Sequence, residues 1–181
     1  MSAAGPRSRP SERELLATVA RRFGELGYRC HRDPDGTDYF DLAVRRGAEV
    51  GLVEGKVGRP SAVLAQALRR RAWGDWVAVA VDSPRAAERL AGATEGRRAE
   101  AVGIYAVAGD RLQEVRRPRP APPDDPFAPC RDRFRRLLDD LEAGARPVGV
   151  RWSDVLAEVR RASGGRRFAE WRLDEPRRPQ P

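Results

Sequence analysis

Apolar positions recur at helical spacing early in the chain, where Leu15, Leu16, Val19, Phe23 and Leu26 form one stripe. Ser11-Glu12-Arg13-Glu14 ahead of them is a capping box, so the spacing predicts a helix that begins at Ser11 and ends at Gly27. A short strand is expected around Tyr28–His31, and Asp33-Pro34-Asp35-Gly36 has turn composition. The period then falls to two. Residues 38–45 and 48–57 read as two strands joined by Arg46-Gly47. Val50, Leu52, Glu54 and Lys56 share one face of the second strand, and Gly51, Val53, Gly55 and Val57 share the other. Pro60-Ser61 opens a helix to about Arg71, Trp76–Val81 is dense enough for a buried strand, and Ser83-Pro84 caps a helix to about Ala91. Val102–Val107 and Arg111–Val115 form a hairpin around Gly109-Asp110.

Beyond residue 116 the pattern breaks. Pro118, Pro120, Pro122, Pro123, Pro126 and Pro129 can continue neither a helix nor a central strand. The predicted organisation is a frayed leader over 1–10, one α/β domain over 11–116 and a proline-rich linker over 117–129. A small helical extension over 130–175 and a tail over 176–181 follow. In the extension, one helix is expected near 130–143 and another from Ser153. The order of helix, two or three strands, helix, strand, helix and strands describes a mixed sheet with helices packed on it.

Composition narrows the chemistry. A chain of 181 residues buries one core and at most a small appendage. One histidine, with Cys30 and Cys130 far apart, leaves no zinc-binding spacing. The cysteines are expected as free thiols of a cytoplasmic protein, and no apolar run suits a membrane span or a secretory signal. The net charge of +8 suits a phosphate-rich partner without requiring one.

Lys56 is the only lysine among 35 basic residues. A compact, hydrated ammonium differs as a tool from a planar guanidinium, so this position stands out. Glu54 lies two residues before it on the same strand face, and Asp41 sits in the preceding apolar strand. A carboxylate in such a strand needs a partner or a cation. Two carboxylates converging from neighbouring strands suit Mg²⁺, which prefers oxygen ligands and keeps several waters. Cleaving a phosphodiester needs such a metal, and an ammonium beside it can orient or deprotonate the attacking water. Two other readings fit the same residues. One is a nucleic-acid-binding module of the same fold without catalysis. The other is a structural or assembly protein in which Lys56 only pairs with Glu54 or Asp41.

Asp41, then Glu54-x-Lys56, then a helix carrying Gln66 resembles the PD-(D/E)xK nuclease superfamily, which includes restriction endonucleases and archaeal Holliday-junction resolvases. The resemblance covers roughly residues 11–82. It implies a restriction endonuclease-like αβββαβ core and Mg²⁺-dependent hydrolysis of DNA, with Mn²⁺ able to substitute. Asp41 and Glu54 would be the metal ligands, with the carbonyl of Gly55, the x residue of the motif, as a further one. Lys56 would act on the nucleophilic water, and Gln66 would support the site. Phe40 stands where the family expects a proline, and Gly55 is an unusually small residue within the motif. The family's first helix sometimes contributes a glutamate. At 100° per residue Glu12 falls in the middle of the apolar arc, whereas Glu14 is the capping partner, so Glu12 is the candidate.

Arg59, Arg69 and Arg70 are the candidates for phosphate contact, with dipole stabilisation and solvation as the plain alternative for the helix-end arginines. His31 reads as a surface histidine, and Trp73 and Trp76 as core closure. Trp152 and Trp171 belong to the extension, where stacking on bases or simple packing would each use them. Cutting two strands often takes two sites, so a homodimer is compatible with the nuclease reading.

Overall fold

The computed structural model describes residues 9–32, 40–58, 61–122 and 127–144. Arg59, the second predicted extension helix, Trp152, Trp171 and the tail lie outside them. The elements are α1 (Glu12–Glu25), β1 (Arg29–Arg32), β2 (Leu42–Arg46), β3 (Glu49–Lys56), α2 (Ser61–Arg70), β4 (Trp76–Val81) and α3 (Pro84–Thr94). A 3-10 turn (Arg98–Ala101), β5 (Gly103–Ala108), β6 (Arg111–Arg116) and α4 (Ala128–Glu142) complete the order.

All six strands lie side by side in sequence order. β1, β2 and β3 run antiparallel, β3, β4 and β5 run parallel, and β6 returns antiparallel to β5. Short turns join β2 to β3 and β5 to β6, the first passing through Gly47 at φ 62° and the second through Gly109 at φ 59°. The parallel pairs need crossovers, and α2 and α3 supply them.

Alternation sorts the side chains into two layers. Leu42, Val44, Val53, Ala78, Ala80, Tyr105 and Val107 pack against Leu15, Val19 and Phe23 of α1. Ala43, Val50, Leu52, Val77, Val79, Ile104 and Ala106 pack against α2, α3 and α4 on the opposite face. The central strand β4 is buried on both faces throughout, as the dense run Trp76–Val81 suggests.

The capping box forms as the sequence indicates: Ser11 Oγ accepts from Glu14 N–H at 3.2 Å, and Glu14 Oε2 accepts from Ser11 N–H at 2.7 Å. Three details differ from the sequence expectations. Asp41 immediately precedes β2, which begins at Leu42. α3 continues past Ala91 to Thr94, whose Oγ1 accepts at 2.7 Å from Arg116 of β6. α4 is also no detached appendage. Its Phe134 and Leu138 are fully buried in the same core as the sheet, and Phe134 meets Phe40 and Trp73 edge-to-face.

Candidate functional site

The β2–β3 pairing brings the two acids together. Leu42 lies opposite Val53, which places Asp41 beside Glu54 at the end of the ladder. Asp41 Oδ2 accepts from Gly55 N–H at 2.7 Å. Glu54 is 2% exposed, and its Oε1 accepts from Arg70 Nε at 2.9 Å. Burial is the main reason its carboxyl is pushed up to about 7. The guanidinium of Arg70 pulls it down, the charge of Asp41 raises it, and a hydrogen bond with the Asp41 backbone lowers it. The buried Glu54 carboxyl thus lies between the guanidinium of Arg70 and the charge of Asp41.

Lys56 closes β3, and its Nζ lies 2.7 Å from Glu12 Oε1 in the first turn of α1. This hydrogen bond is the main cause of a raised lysine pKa, with the charges of Glu12 and Asp41 adding to it. The ammonium therefore stays protonated at neutral pH. The helix of one face and the strand end meet here because Gly55 lets α1 approach. A Cβ at Gly55 would lie 2.8 Å from Leu16 Cδ2 and 3.1 Å from Leu15 Cδ2.

Asp41, Glu54, Gly55, Lys56 and Glu12 are thus gathered where β3 ends and α1 begins. Gln66 is not among them: it is exposed and makes no hydrogen bond within the described residues. Arg70, one turn further along α2, is the α2 side chain that reaches Glu54. It is largely buried on Glu54 and so is not the exposed phosphate contact its position in the arginine run suggested. Arg69 is exposed, and its Nε donates to Ala65 O at 3.2 Å within its own helix. The Gln66–Arg70 spacing of one helical turn carried a signal that α2 could present an arginine on that stripe, but the pairing with Glu54 spans two elements and has no local mark.

His31 is partly buried, with Nε2 3.0 Å from Glu142 Oε1, and Arg29 Nη1 lies 2.6 Å from the other oxygen of Glu142. It fastens the end of α4 to β1 and stands apart from the acid pair. Cys30 and Cys130 are free thiols.

Among the described residues no group of three or more histidine, cysteine, aspartate or glutamate side chains is arranged to hold a metal ion. None of their helices is long and apolar enough to cross a membrane.

No family model matches the chain, and no curated protein matches it. Among solved structures it is similar to the SPO1766 protein of unknown function from Silicibacter pomeroyi, with a TM-score of 0.51 and 19% sequence identity over 79% of this chain and 97% of that one. At that identity the likeness speaks for the fold: a mixed sheet between helices, extended by a C-terminal helix.

Proposed function

We propose that the chain is a divalent-cation-dependent nuclease of the PD-(D/E)xK kind, acting on DNA. The observation that carries this reading is the convergence of Asp41, Glu54, Lys56 and Glu12 from three elements at one end of the sheet. The element order, α1 and three antiparallel strands, then α2 and a parallel strand, agrees with an αβββαβ core.

The residues fit Mg²⁺ as a two-carboxylate site. Asp41 and Glu54 repel each other in a low-dielectric setting, which a divalent cation would relieve. Mg²⁺ binds in such settings through one or two carboxylates plus substrate phosphate and water, so three protein carboxylates are not required. Asp41 and Glu54 would hold it, with the Gly55 carbonyl alongside. When bound, the ion neutralises phosphate charge and lowers the pKa of the attacking water. Lys56 is a cation at neutral pH and Glu12 favours that form further, so Lys56 would bind a phosphate oxygen and orient the water rather than take its proton. Arg70 holds Glu54 in place.

A second reading has specific support of its own: a nucleic-acid-binding or structural module with no catalysis. Glu54 already has Arg70, Lys56 already has Glu12, and no three-ligand cluster stands among the described residues. Its simplest form, a direct Glu54–Lys56 ion pair, has less support, because each side chain has another partner.

The test uses labelled single-stranded, duplex, nicked and four-way-junction DNA and RNA with Mg²⁺ or Mn²⁺. Wild-type cutting that falls about a hundredfold or more in Lys56→Ala and Glu54→Gln supports the nuclease. A second readout needs no substrate. Mg²⁺ should raise the melting temperature of wild type more at pH 8 than at pH 5, because a protonated Glu54 is a poor ligand. Absence of both cutting and metal-linked stabilisation would favour the second reading.

A further inference from the structure

We infer that a cavity beside the acid cluster seats a backbone phosphate of the nucleic-acid strand next to the cleavage point, with Arg89 as its contact. The inference rests on the nuclease reading for the direction of the strand. The cavity has a volume of about 540 Å³ and lies among Arg9, Glu14, Gly58, Asp82, Ser83 and Arg89. Its floor is the carboxyl ends of the parallel strands β3, β4 and β5, the side on which open α/β sheets bind ligands. It starts close to Lys56. Val81 pairs with Lys56 across the β3–β4 ladder, Asp82 is the next residue, and Gly58 follows Lys56 by two positions. Crossing from β3 to β5 covers two strand spacings, about 10 Å. That is the axial length of about three stacked nucleotides at 3.4 Å each.

The charges around the cavity are not equally available. Glu14 is taken up by Ser11, whose N–H and Oγ both donate to its Oε2, at 2.7 and 2.8 Å. Ser83 Oγ accepts from Ala86 N–H and caps α3. Arg9 is 78% exposed and reaches Asp82 at 3.8 Å, a loose pair. Arg89 is exposed and forms no hydrogen bond or ion pair among the described residues, so its guanidinium is the uncommitted cation at the rim. A planar fork of donors without an internal partner, on the wall of a nucleotide-sized cavity, suits a phosphate. Arg9 would add a second contact by leaving Asp82.

The test is binding of labelled single-stranded and duplex DNA in EDTA over a range of salt concentrations. Wild type, Arg89→Ala, Arg89→Glu and Arg136→Ala are compared; Arg136 is an exposed arginine of α4. Arg89→Ala should weaken binding about fivefold or more and lower the slope of log affinity against log salt by about one. Arg89→Glu should weaken it further, and Arg136→Ala should match wild type. Equal effects of Arg89→Ala and Arg136→Ala, or no binding by wild type, would overturn the inference. Mg²⁺-dependent cleavage is then scored separately. Cleavage indifferent to Arg89 leaves the nuclease reading standing without this contact. Arg89-dependent binding without cleavage leaves the contact standing without the nuclease.

Discussion

Glu54 is a carboxyl buried to 2% exposure, and its environment predicts a pH signature. The unfolded chain releases this proton near 4.5, whereas the folded chain holds it to about 7. Folded protein therefore binds more protons than unfolded protein across that interval, so stability falls as pH rises through it. The loss is complete above about 7, and for this group alone it amounts to about 3 kcal/mol. Urea denaturation at pH 5 and pH 8 should show that fall in wild type. Glu54→Gln, which still offers Arg70 an acceptor oxygen, should flatten it, and an unchanged profile would place the effect elsewhere. Lys56 runs in the same direction, since Glu12 favours its protonated form, but its contribution is lost only as pH rises above the ordinary lysine range. The sequence made both residues visible, one as the lone lysine and the other as an acid in an apolar run. It did not reveal Arg70 as the partner of Glu54, because that hydrogen bond joins side chains 16 positions apart on a helix and a strand.

At the scale of elements, the site depends on how closely α1 and α4 pack on the sheet. Gly55 is where α1 rests, so Gly55→Ala should push Leu15 and Leu16 outward and move Glu12 from Lys56. A loss of about 1–3 kcal/mol is expected, with weaker metal-linked stabilisation than wild type, both measurable in thermal melts. On the other face Phe134 of α4 packs on Phe40, the residue before Asp41. Phe134→Ala should cost about 3–5 kcal/mol. Hydrogen exchange at the Gly55 N–H, which donates to Asp41, should accelerate with it. The sequence read these elements unevenly for a physical reason. α1 carries its own cap and stripe, so its limits were local and legible. α3 runs past Gly92 to Thr94, where Arg116 donates to Thr94 Oγ1 and to the Ala91 carbonyl from β6. Pro118, Pro120 and Pro122 follow the last strand, but Pro129 stands in the first turn of α4, so the proline run marked neither where the next helix begins nor where it docks.

For the whole molecule, that docking makes α4 part of the cooperative unit. Phe127, Cys130, Phe134 and Leu138 belong to the same buried cluster as Val79 and Ile104. A chain stopped at residue 122 is therefore expected to lose its sharp unfolding transition, as judged by near-ultraviolet and far-ultraviolet circular dichroism. A sharp transition at wild-type temperature would show that the sheet and its first three helices stand alone. The cluster of candidate residues has a different reach along the chain. The contact of Asp41 with Gly55 spans 14 positions and that of Glu54 with Arg70 spans 16, whereas Lys56 must wait for Glu12 from the far end of α1. Closing a short loop costs little entropy and happens fast. The acid pair and its arginine can thus assemble as a local knot of chain, before the helix that supplies Glu12 settles. In a nascent chain of 70 residues the acid pair and Arg70 could already close over short loops, and the docking of α1, although it is made first, would be the later event that brings Glu12 to Lys56.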